Sequence, residues 1–179
     1  MMKDYYKLSR TEKYNIAKNL VEIINKNSKP TNETIRFIAN WILSNRKEKY
    51  KFYYDVWDIV LKNFYPKTRP ILIRSISKKS KKEYIGSFTN SLECAIKYSD
   101  DKSYWIICDT KAILNNAKKH YKKGEYEYTF YPLSEVLRKA KLNDGWGFSE
   151  YLLDNYTGED EYIMKINFSY MQLVKYIKQ

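Results

Sequence analysis

The chain has 179 residues, enough for one domain or for one domain with a helical extension. Its 33 Lys and Arg residues outnumber its 21 Asp and Glu residues, and the net charge of +12 favours acidic partners such as nucleic acid or an acidic protein face. Two cysteines without metal-ligand spacing exclude a disulfide framework, and a single histidine, His120, argues against a histidine-based triad or a zinc site.

Residues 1–69 predict a helical region of three helices. Ser9 is placed to cap the first, Thr31 to cap the second, and the third runs from about residue 49 to 64. Their apolar stripes are expected to comprise Tyr14, Ala17, Leu20, Val21 and Ile24, then Ile35, Ile38, Ala39 and Ile42, then Tyr53, Val56, Trp57 and Val60. Stripes of this spacing indicate core packing.

From Pro70 onward the periodicity changes to that of strands. Strands are predicted over 71–76, 84–89, 103–108, 162–168 and 170–177, with helices over 92–98 and 132–141. Asn90 or Ser91 is expected to cap the first of these two helices. The predicted fold class is therefore α+β, with the helical region 1–69 ahead of an α+β part, 70–179.

Charge is unevenly distributed along the second part. Two lysine clusters, at 78–82 and 118–123, fall between predicted elements. They indicate solvated loops, or alternatively surfaces that steer an acidic partner or the phosphates of a ligand. By contrast, residues 142–164 contain no Lys or Arg. Within them, Glu159 and Glu161 stand two apart at a predicted strand start, so they are expected to share one face and to converge on one ligand. Alone, such a pair is also typical of a solvated strand edge.

Three motifs follow one another in the second part. Arg74 lies at a strand end in Ile71-Leu72-Ile73-Arg74, Ser87-Phe88-Thr89 precedes a helix, and Glu159-Asp160-Glu161 opens a strand. In this order the motifs resemble those of mono-ADP-ribosyltransferases of the Arg–Ser–Glu class, over residues 70–179. The resemblance implies a mixed or antiparallel split β-sandwich with flanking helices, and NAD⁺ as the substrate. It also implies that no metal is needed.

The resemblance assigns the NAD⁺-binding positions. Arg74 is expected to hold the NAD⁺ phosphates, the alternative being a structural ion pair. Ser75 stands beside the nicotinamide position, where many members have glycine. Ser87 is expected to orient the catalytic carboxylate and Thr89 to brace the site, although both also fit a strand end and helix cap. Phe88 is expected to pack either against nicotinamide or in the core.

The resemblance also gives the two glutamates separate roles. Glu161 corresponds to the catalytic glutamate, which stabilises the positive charge that develops on the ribose as the glycosidic bond breaks. Glu159 corresponds to the position that engages the acceptor, and a glutamate there goes with arginine acceptors because a carboxylate can grip a guanidinium. Asp160 is expected to point away from the pair.

Three functions remain open from the sequence. The first is NAD⁺-dependent ADP-ribosylation of an arginine on a target protein. The second keeps this chemistry but moves it to nucleic acid or a small molecule, or leaves only NAD⁺ hydrolysis, as the basic charge suggests. The third is a non-catalytic basic module that binds nucleic acid through the two lysine clusters.

The expected setting is inside a cell. The N-terminal segment lacks the apolar core of a signal peptide, and no run approaches the ~18 apolar residues needed to span a bilayer. A cytoplasmic protein without a membrane partner is therefore expected. The composition, rich in Lys, Tyr and Asn, fits a phage-encoded effector that inactivates host machinery, or a bacterial toxin.

Overall fold

Three helices form the first part of the chain in a computed structural model that describes residues 7–45, 49 and 51–178. They are α1 (Arg10–Lys26), α2 (Asn32–Leu43) and α3 (Lys51–Asn63). Both predicted caps are confirmed. The Glu12 amide donates to Ser9 Oγ at 3.2 Å and Glu12 Oε2 accepts from the Ser9 amide, which is a capping box. Thr31 Oγ1 accepts from the Thr34 amide.

The buried stripes of these helices agree only in part with the expectation. In α3, the four expected residues are all buried. In α1, the expected Ala17 and Leu20 are buried together with Ile16 and Ile23, whereas the expected Tyr14 is 59% exposed. Apolar residues lie on two adjacent faces of α1. The aliphatic face packs into the core, whereas the face that carries the tyrosine hydroxyl remains exposed to solvent. In α2, the expected Ile38 is buried, but so are Phe37 and Trp41, which the expected stripe did not include.

The strands form one six-stranded sheet in which every pair is antiparallel. They are β1 (Ile71–Ile76), β2 (Ile85–Thr89), β3 (Tyr104–Asp109), β4 (Phe130–Tyr131), β5 (Glu161–Lys165) and β6 (Met171–Lys175). The order across the sheet is β4-β5-β2-β1-β3-β6. The prediction of an α+β fold is confirmed, and of the two arrangements left open it is the antiparallel one that forms.

The sheet is divided at its centre. The strands β1 and β3 pair along their whole length, as do β2 and β5. In contrast, β1 pairs with β2 only at Ile73 and Thr89. Two three-stranded halves, β4-β5-β2 and β1-β3-β6, therefore meet at a seam between β1 and β2. A seam of this kind leaves room for side chains to enter between the halves.

Four further helices flank the sheet: α4 (Leu92–Lys97), α5 (Thr110–Lys119), α6 (Leu133–Lys141) and α7 (Glu150–Tyr156). Short 3₁₀ turns occupy Asp144–Gly147 and Thr157–Glu159. The helices α4 and α6 were predicted, and Ser91 is the residue that caps α4, by accepting from the Cys94 amide. The helices α5 and α7 were not predicted. The second lysine cluster is thus partly helical, since Lys118 and Lys119 end α5.

Two hydrophobic cores lie on opposite faces of the half-sheet β4-β5-β2. The larger contains residues of α1, α2, α3 and α6 together with Ile85 and Ile163. The smaller contains Phe88 and Met164 with residues of α5. The helical region and the sheet thus share one core, which brings the end of α2 close to the seam. No helix within the described residues combines the length and the apolar character needed to cross a bilayer.

Candidate active site

A cleft of about 650 Å³ opens at the seam between β1 and β2. Its walls come from the end of α2, from β1 and β2, from α4 and from the turn before β5. All seven residues singled out from the sequence line this cleft: Arg74, Ser75, Ser87, Phe88, Thr89, Glu159 and Glu161. The fold therefore brings together three motifs that are separated by up to 87 positions in the chain.

The carboxylate of Glu161 is held by two donors on one oxygen. Antiparallel pairing of β2 with β5 sets Glu161 opposite Thr89 and Ile163 opposite Ser87, so Ser87 and Glu161 are diagonal neighbours on one face. Ser87 Oγ donates to Glu161 Oε1 at 2.5 Å. Trp41 Nε1, from α2, donates to the same oxygen at 3.1 Å. Within the described part of the chain, Oε2 accepts no hydrogen bond, so it is the oxygen left for a ligand.

Burial raises the pKa of Glu161 above its ordinary value of 4.5. The hydrogen bonds from Ser87 and Trp41, and the charge of Lys49, oppose this rise in the pKa, and the charge of Glu159 adds to it. Lys49 Nζ lies 4.0 Å from the centroid of the Trp41 ring. Burial lowers the pKa of Lys49, and attraction to Glu161 opposes that effect. The result is a poorly solvated carboxylate, which interacts strongly with any positive charge that develops beside it.

The expectation that Glu159 and Glu161 share a strand face is wrong. The strand β5 begins at Glu161, whereas Glu159 ends a 3₁₀ turn, and Asp160 between them is left-handed (φ 47°, ψ 49°). Strand alternation therefore does not apply. Glu159 reaches the cleft because a hydrogen bond joins its turn to β2: Thr89 Oγ1 donates to the Glu159 carbonyl at 2.7 Å. Asp160 pairs with Arg138 of α6 at 2.7 Å.

The side chain of Glu159 also has an aromatic donor. Tyr98 Oη, at the end of α4, donates to Glu159 Oε1 at 2.5 Å. This hydrogen bond, with burial, raises the pKa of Tyr98, so the phenol stays protonated and keeps donating. Each of the two glutamates thus accepts a hydrogen bond from an aromatic side chain at the end of a helix. These two contacts fix the direction of both carboxylates.

Arg74 reaches across the seam from β1 to β2. One terminal nitrogen donates to the Ser87 carbonyl at 2.6 Å, and Nε donates to Tyr84 Oη at 3.2 Å. Gly86 permits this approach, because a Cβ there would lie 3.2 Å from Arg74 Cζ. No carboxylate of the described residues lies within ion-pair distance of Arg74, so the structural ion pair is not the arrangement found. Arg74 and Glu161 thus both hydrogen-bond to Ser87, Arg74 to its backbone carbonyl and Glu161 to its hydroxyl.

The other three expected residues, Ser75, Thr89 and Phe88, make contacts that hold the fold together around the cleft. Ser75 Oγ donates to the Tyr98 carbonyl at 3.1 Å and accepts from Ser99 Oγ, so it fastens the end of α4. Thr89 Oγ1 accepts from the Ser91 amide, next to the cap of α4. The ring of Phe88 is 2% exposed and belongs to the smaller core. Of the two interpretations of Phe88, core packing is therefore the one that fits.

The lining residues that sequence reasoning missed include Trp41, Lys49 and Tyr98. Trp41 belongs to a helix without a recognisable motif and stands 120 positions before its partner Glu161. Tyr98 was placed at the end of a predicted helix, but nothing in the sequence indicated its contact with Glu159. Long-range contacts of this kind have no local sequence signal.

The molecule has other cavities and charged surfaces besides the cleft. A larger cavity of about 800 Å³ lies elsewhere, but its two carboxylates, Asp55 and Asp58, pair with Lys13 and Lys62. A smaller cavity of about 390 Å³ adjoins the seam and shares Arg74 with it; Lys78 and Lys82 also line it. Both lysine clusters are exposed. Across the described residues, no group of three or more His, Cys, Asp or Glu side chains is placed to hold a metal ion.

The fold and the site together define an α+β protein with a carboxylate-bearing cleft at the seam of a divided antiparallel sheet. Comparison of the chain with protein-family models, with curated proteins and with solved structures finds no match. The chemistry of the cleft is therefore the basis for a functional assignment.

Proposed function

We propose that this protein transfers ADP-ribose from NAD⁺ to an arginine side chain of a target protein, with release of nicotinamide. The observation that carries the proposal is that Ser87 joins Arg74 and Glu161: Arg74 donates to the Ser87 carbonyl at 2.6 Å, and the Ser87 hydroxyl donates to Glu161 at 2.5 Å. A guanidinium, a hydroxyl donor and a carboxylate with one unused oxygen lie in one cleft. Groups of these three types support the breaking of the glycosidic bond of NAD⁺, by binding phosphate, orienting the carboxylate and stabilising positive charge on the ribose.

Glu161 would act on the ribose. When the bond between ribose C1′ and the nicotinamide nitrogen breaks, the bonding electron pair leaves with nicotinamide and positive charge builds on the ribose. The unused Oε2 of Glu161 would stabilise that charge and accept a hydrogen bond from the ribose 2′-hydroxyl. Ser87 and Trp41 hold the other oxygen, so the carboxylate needs no reorganisation as the charge develops.

Arg74 would hold the phosphates. Two of its N–H groups are used by Ser87 and Tyr84, and the planar fork retains further donors for an anion. Lys78 and Lys82, beside the adjoining cavity, add positive charge that favours a diphosphate there. NAD⁺ would thus extend along the seam with its nicotinamide end at the glutamates.

Glu159 would receive the acceptor. A guanidinium nitrogen attacks C1′, a new C–N bond forms, and the proton lost from the guanidinium passes to Glu159. The hydrogen bond from Tyr98 occupies Oε1 of Glu159 and keeps the side chain at the cleft. A carboxylate in this position favours a cationic acceptor over a neutral one. We place the reaction in the cytoplasm of the producing or host cell, where inactivation of a host protein by a phage effector or a toxin would follow.

One observation favours a second acceptor class. The cavity next to Arg74 is bordered by Lys78 and Lys82 but by no carboxylate among the described residues, a setting that also suits nucleic acid. The same cleft would then ADP-ribosylate RNA or DNA, or hydrolyse NAD⁺ when no acceptor is bound. A non-catalytic basic module is a weaker proposal, because it leaves the ordered glutamates in the cleft without a use.

The proposal is tested by incubating the folded protein with NAD⁺ labelled in its adenylate phosphate and a bacterial lysate. Label on protein that is released by reagents specific for arginine linkages supports the arginine acceptor. Label on nucleic acid supports the second acceptor class and overturns the first. Absence of both bound label and released nicotinamide overturns the enzymatic proposal altogether.

A further inference from the structure

The helical region contributes a side chain to the cleft. Trp41 lies in the last turn of α2 and is 1% exposed, yet its indole N–H donates to Glu161 Oε1 at 3.1 Å. A buried tryptophan in a helical stripe is ordinarily a packing residue. Here the polar edge of the ring is directed at the carboxylate that the proposed chemistry requires.

The orientation of the indole is fixed by its neighbours. The Trp41 ring packs edge-on against Trp57, with centroids 5.6 Å apart, and against Tyr54, with centroids 6.0 Å apart. Lys49 Nζ lies over the ring. A ring enclosed in this way has few alternative rotamers, so its N–H remains directed at Glu161. The contact is therefore part of the folded core and independent of a bound ligand.

The contact determines which oxygen of Glu161 is free. Ser87 and Trp41 approach the same oxygen from different elements, β2 and α2. A single donor would leave the carboxylate able to rotate about its last bond, whereas two donors on Oε1 hold its plane and direct Oε2 into the cleft. Two donors also favour the ionised carboxylate over the neutral acid.

We propose that Trp41 is a positioning residue, which holds the Glu161 carboxylate with Oε2 directed at the ribose. The inference rests on the proposed function. It also makes the helical region a component of the active site, because α2 supplies one of the two donors to Glu161.

Other titratable groups face Glu161 and affect the test. They are Lys49, Glu159, Cys94 and Tyr156. Arg74 acts indirectly, because its positive charge lowers the pKa of Lys49. Burial raises the pKa of the Cys94 thiol and of the Tyr156 phenol, so both stay neutral in acidic and neutral solution. Glu159 is the other carboxylate beside Glu161. The pH profile is therefore also measured in a Glu159→Gln background, where Glu161 is the one carboxylate left of the pair.

The first test compares Trp41→Phe with a matched control, Trp57→Phe. Trp57 is also buried and touches Trp41, but its Nε1 has no hydrogen-bond partner among the described residues. Trp41→Phe should move the acidic limb of nicotinamide release upward by about one pH unit and lower the plateau rate about tenfold. Trp57→Phe should leave the limb in place. Equal limbs in the two folded variants overturn the inference.

A second measurement needs neither turnover nor a Trp41 variant. In ¹⁵N-tryptophan-labelled wild-type protein, the Trp41 indole resonance is assigned by elimination from Phe variants at the other three tryptophans. The chemical shift of this resonance should change with pH as Glu161 titrates, and this change should be absent in Glu161→Gln. An indole resonance that does not respond to pH in folded protein overturns the inference. Absence of nicotinamide release from wild type, with the titration present, instead overturns the proposed function.

Discussion

Ser87 Oγ donates to Glu161 Oε1 at 2.5 Å, across two neighbouring antiparallel strands. The two residues belong to motifs 74 positions apart, and the register of β2 against β5 makes them diagonal neighbours. Charge-assisted hydrogen bonds of this length are roughly twice as strong as neutral ones. This hydrogen bond therefore orients the Glu161 carboxylate and favours its ionised form.

Removal of the Ser87 hydroxyl should impair the proposed chemistry without unfolding the protein. Ser87→Ala leaves Trp41 as the remaining donor to Glu161 Oε1, so the carboxylate becomes less ionised and more mobile. We expect nicotinamide release to fall about tenfold to a hundredfold, from the loss of a hydrogen bond to a charged group. Ser9→Ala is the control, since it removes the cap of α1 far from the cleft and should lower only stability. Equal rates for Ser87→Ala and wild type would contradict the role of Ser87.

Arg74→Lys should weaken the binding of NAD⁺. Lysine keeps the charge but cannot donate to the Ser87 carbonyl and grip a phosphate at the same time. We expect the KM for NAD⁺ to rise about tenfold or more, with a smaller effect on kcat. Arg69→Lys, at an exposed residue that does not line the cleft, serves as the control. An unchanged KM in Arg74→Lys would remove Arg74 from the phosphate site.

Glu159→Gln should separate the two halves of the reaction. The amide cannot take the proton from an attacking guanidinium, so transfer to an arginine acceptor should fall about a hundredfold. NAD⁺ hydrolysis, which depends on Glu161, should fall much less. Intact arginine transfer by this variant would show that Glu159 does not serve the acceptor.

Tyr98→Phe should have the same effect as Glu159→Gln in weaker form. The substitution removes the hydrogen bond that orients Glu159 but keeps the Glu159 carboxylate itself. We therefore expect a several-fold loss of transfer to arginine, with NAD⁺ hydrolysis unchanged. Tyr121→Phe, at an exposed tyrosine remote from the cleft, is the matched control. Equal transfer by the two variants would assign Tyr98 to packing alone.

The stability of the protein should depend on the charge of Glu161. Because burial raises the pKa of Glu161, the folded state binds more protons than the unfolded state between the ordinary and the raised value. Stability therefore falls as pH rises through that window. The Glu161→Gln variant carries no charge and can still accept both hydrogen bonds. We expect its Tm to exceed that of wild type at pH 7 and the difference to narrow below pH 4.5, the ordinary pKa of the group. A lower Tm at pH 7 would contradict this.

Local sequence signals were sufficient for much of the scaffold. The caps at Ser9, Thr31 and Ser91 were readable because a side-chain oxygen precedes an apolar periodic stretch. The strand β1 was predicted with its observed bounds, because a short β-branched run follows Pro70. The helix α5 was missed, because its apolar residues are few and lie between lysines and asparagines.

The site was only partly predictable, for a physical reason. The motif residues could be found because their types and order resemble the motifs of the Arg–Ser–Glu class. The left-handed Asp160, which places Glu159 in a turn, was not foreseeable from strand alternation. The aromatic donors Trp41 and Tyr98 depend on how helices pack against the sheet. Packing of distant elements leaves no periodic pattern in the sequence.

We propose above all that Glu161 drives the breaking of the glycosidic bond of NAD⁺ in the cleft at the seam. The most direct measurement is nicotinamide release from NAD⁺ labelled in the nicotinamide ring, by purified wild-type protein and by Glu161→Gln, both shown to be folded by their Tm. We predict release by wild type and a loss of at least about a hundredfold in the variant. No release by folded wild-type protein, or equal release by the two proteins, would contradict the claim.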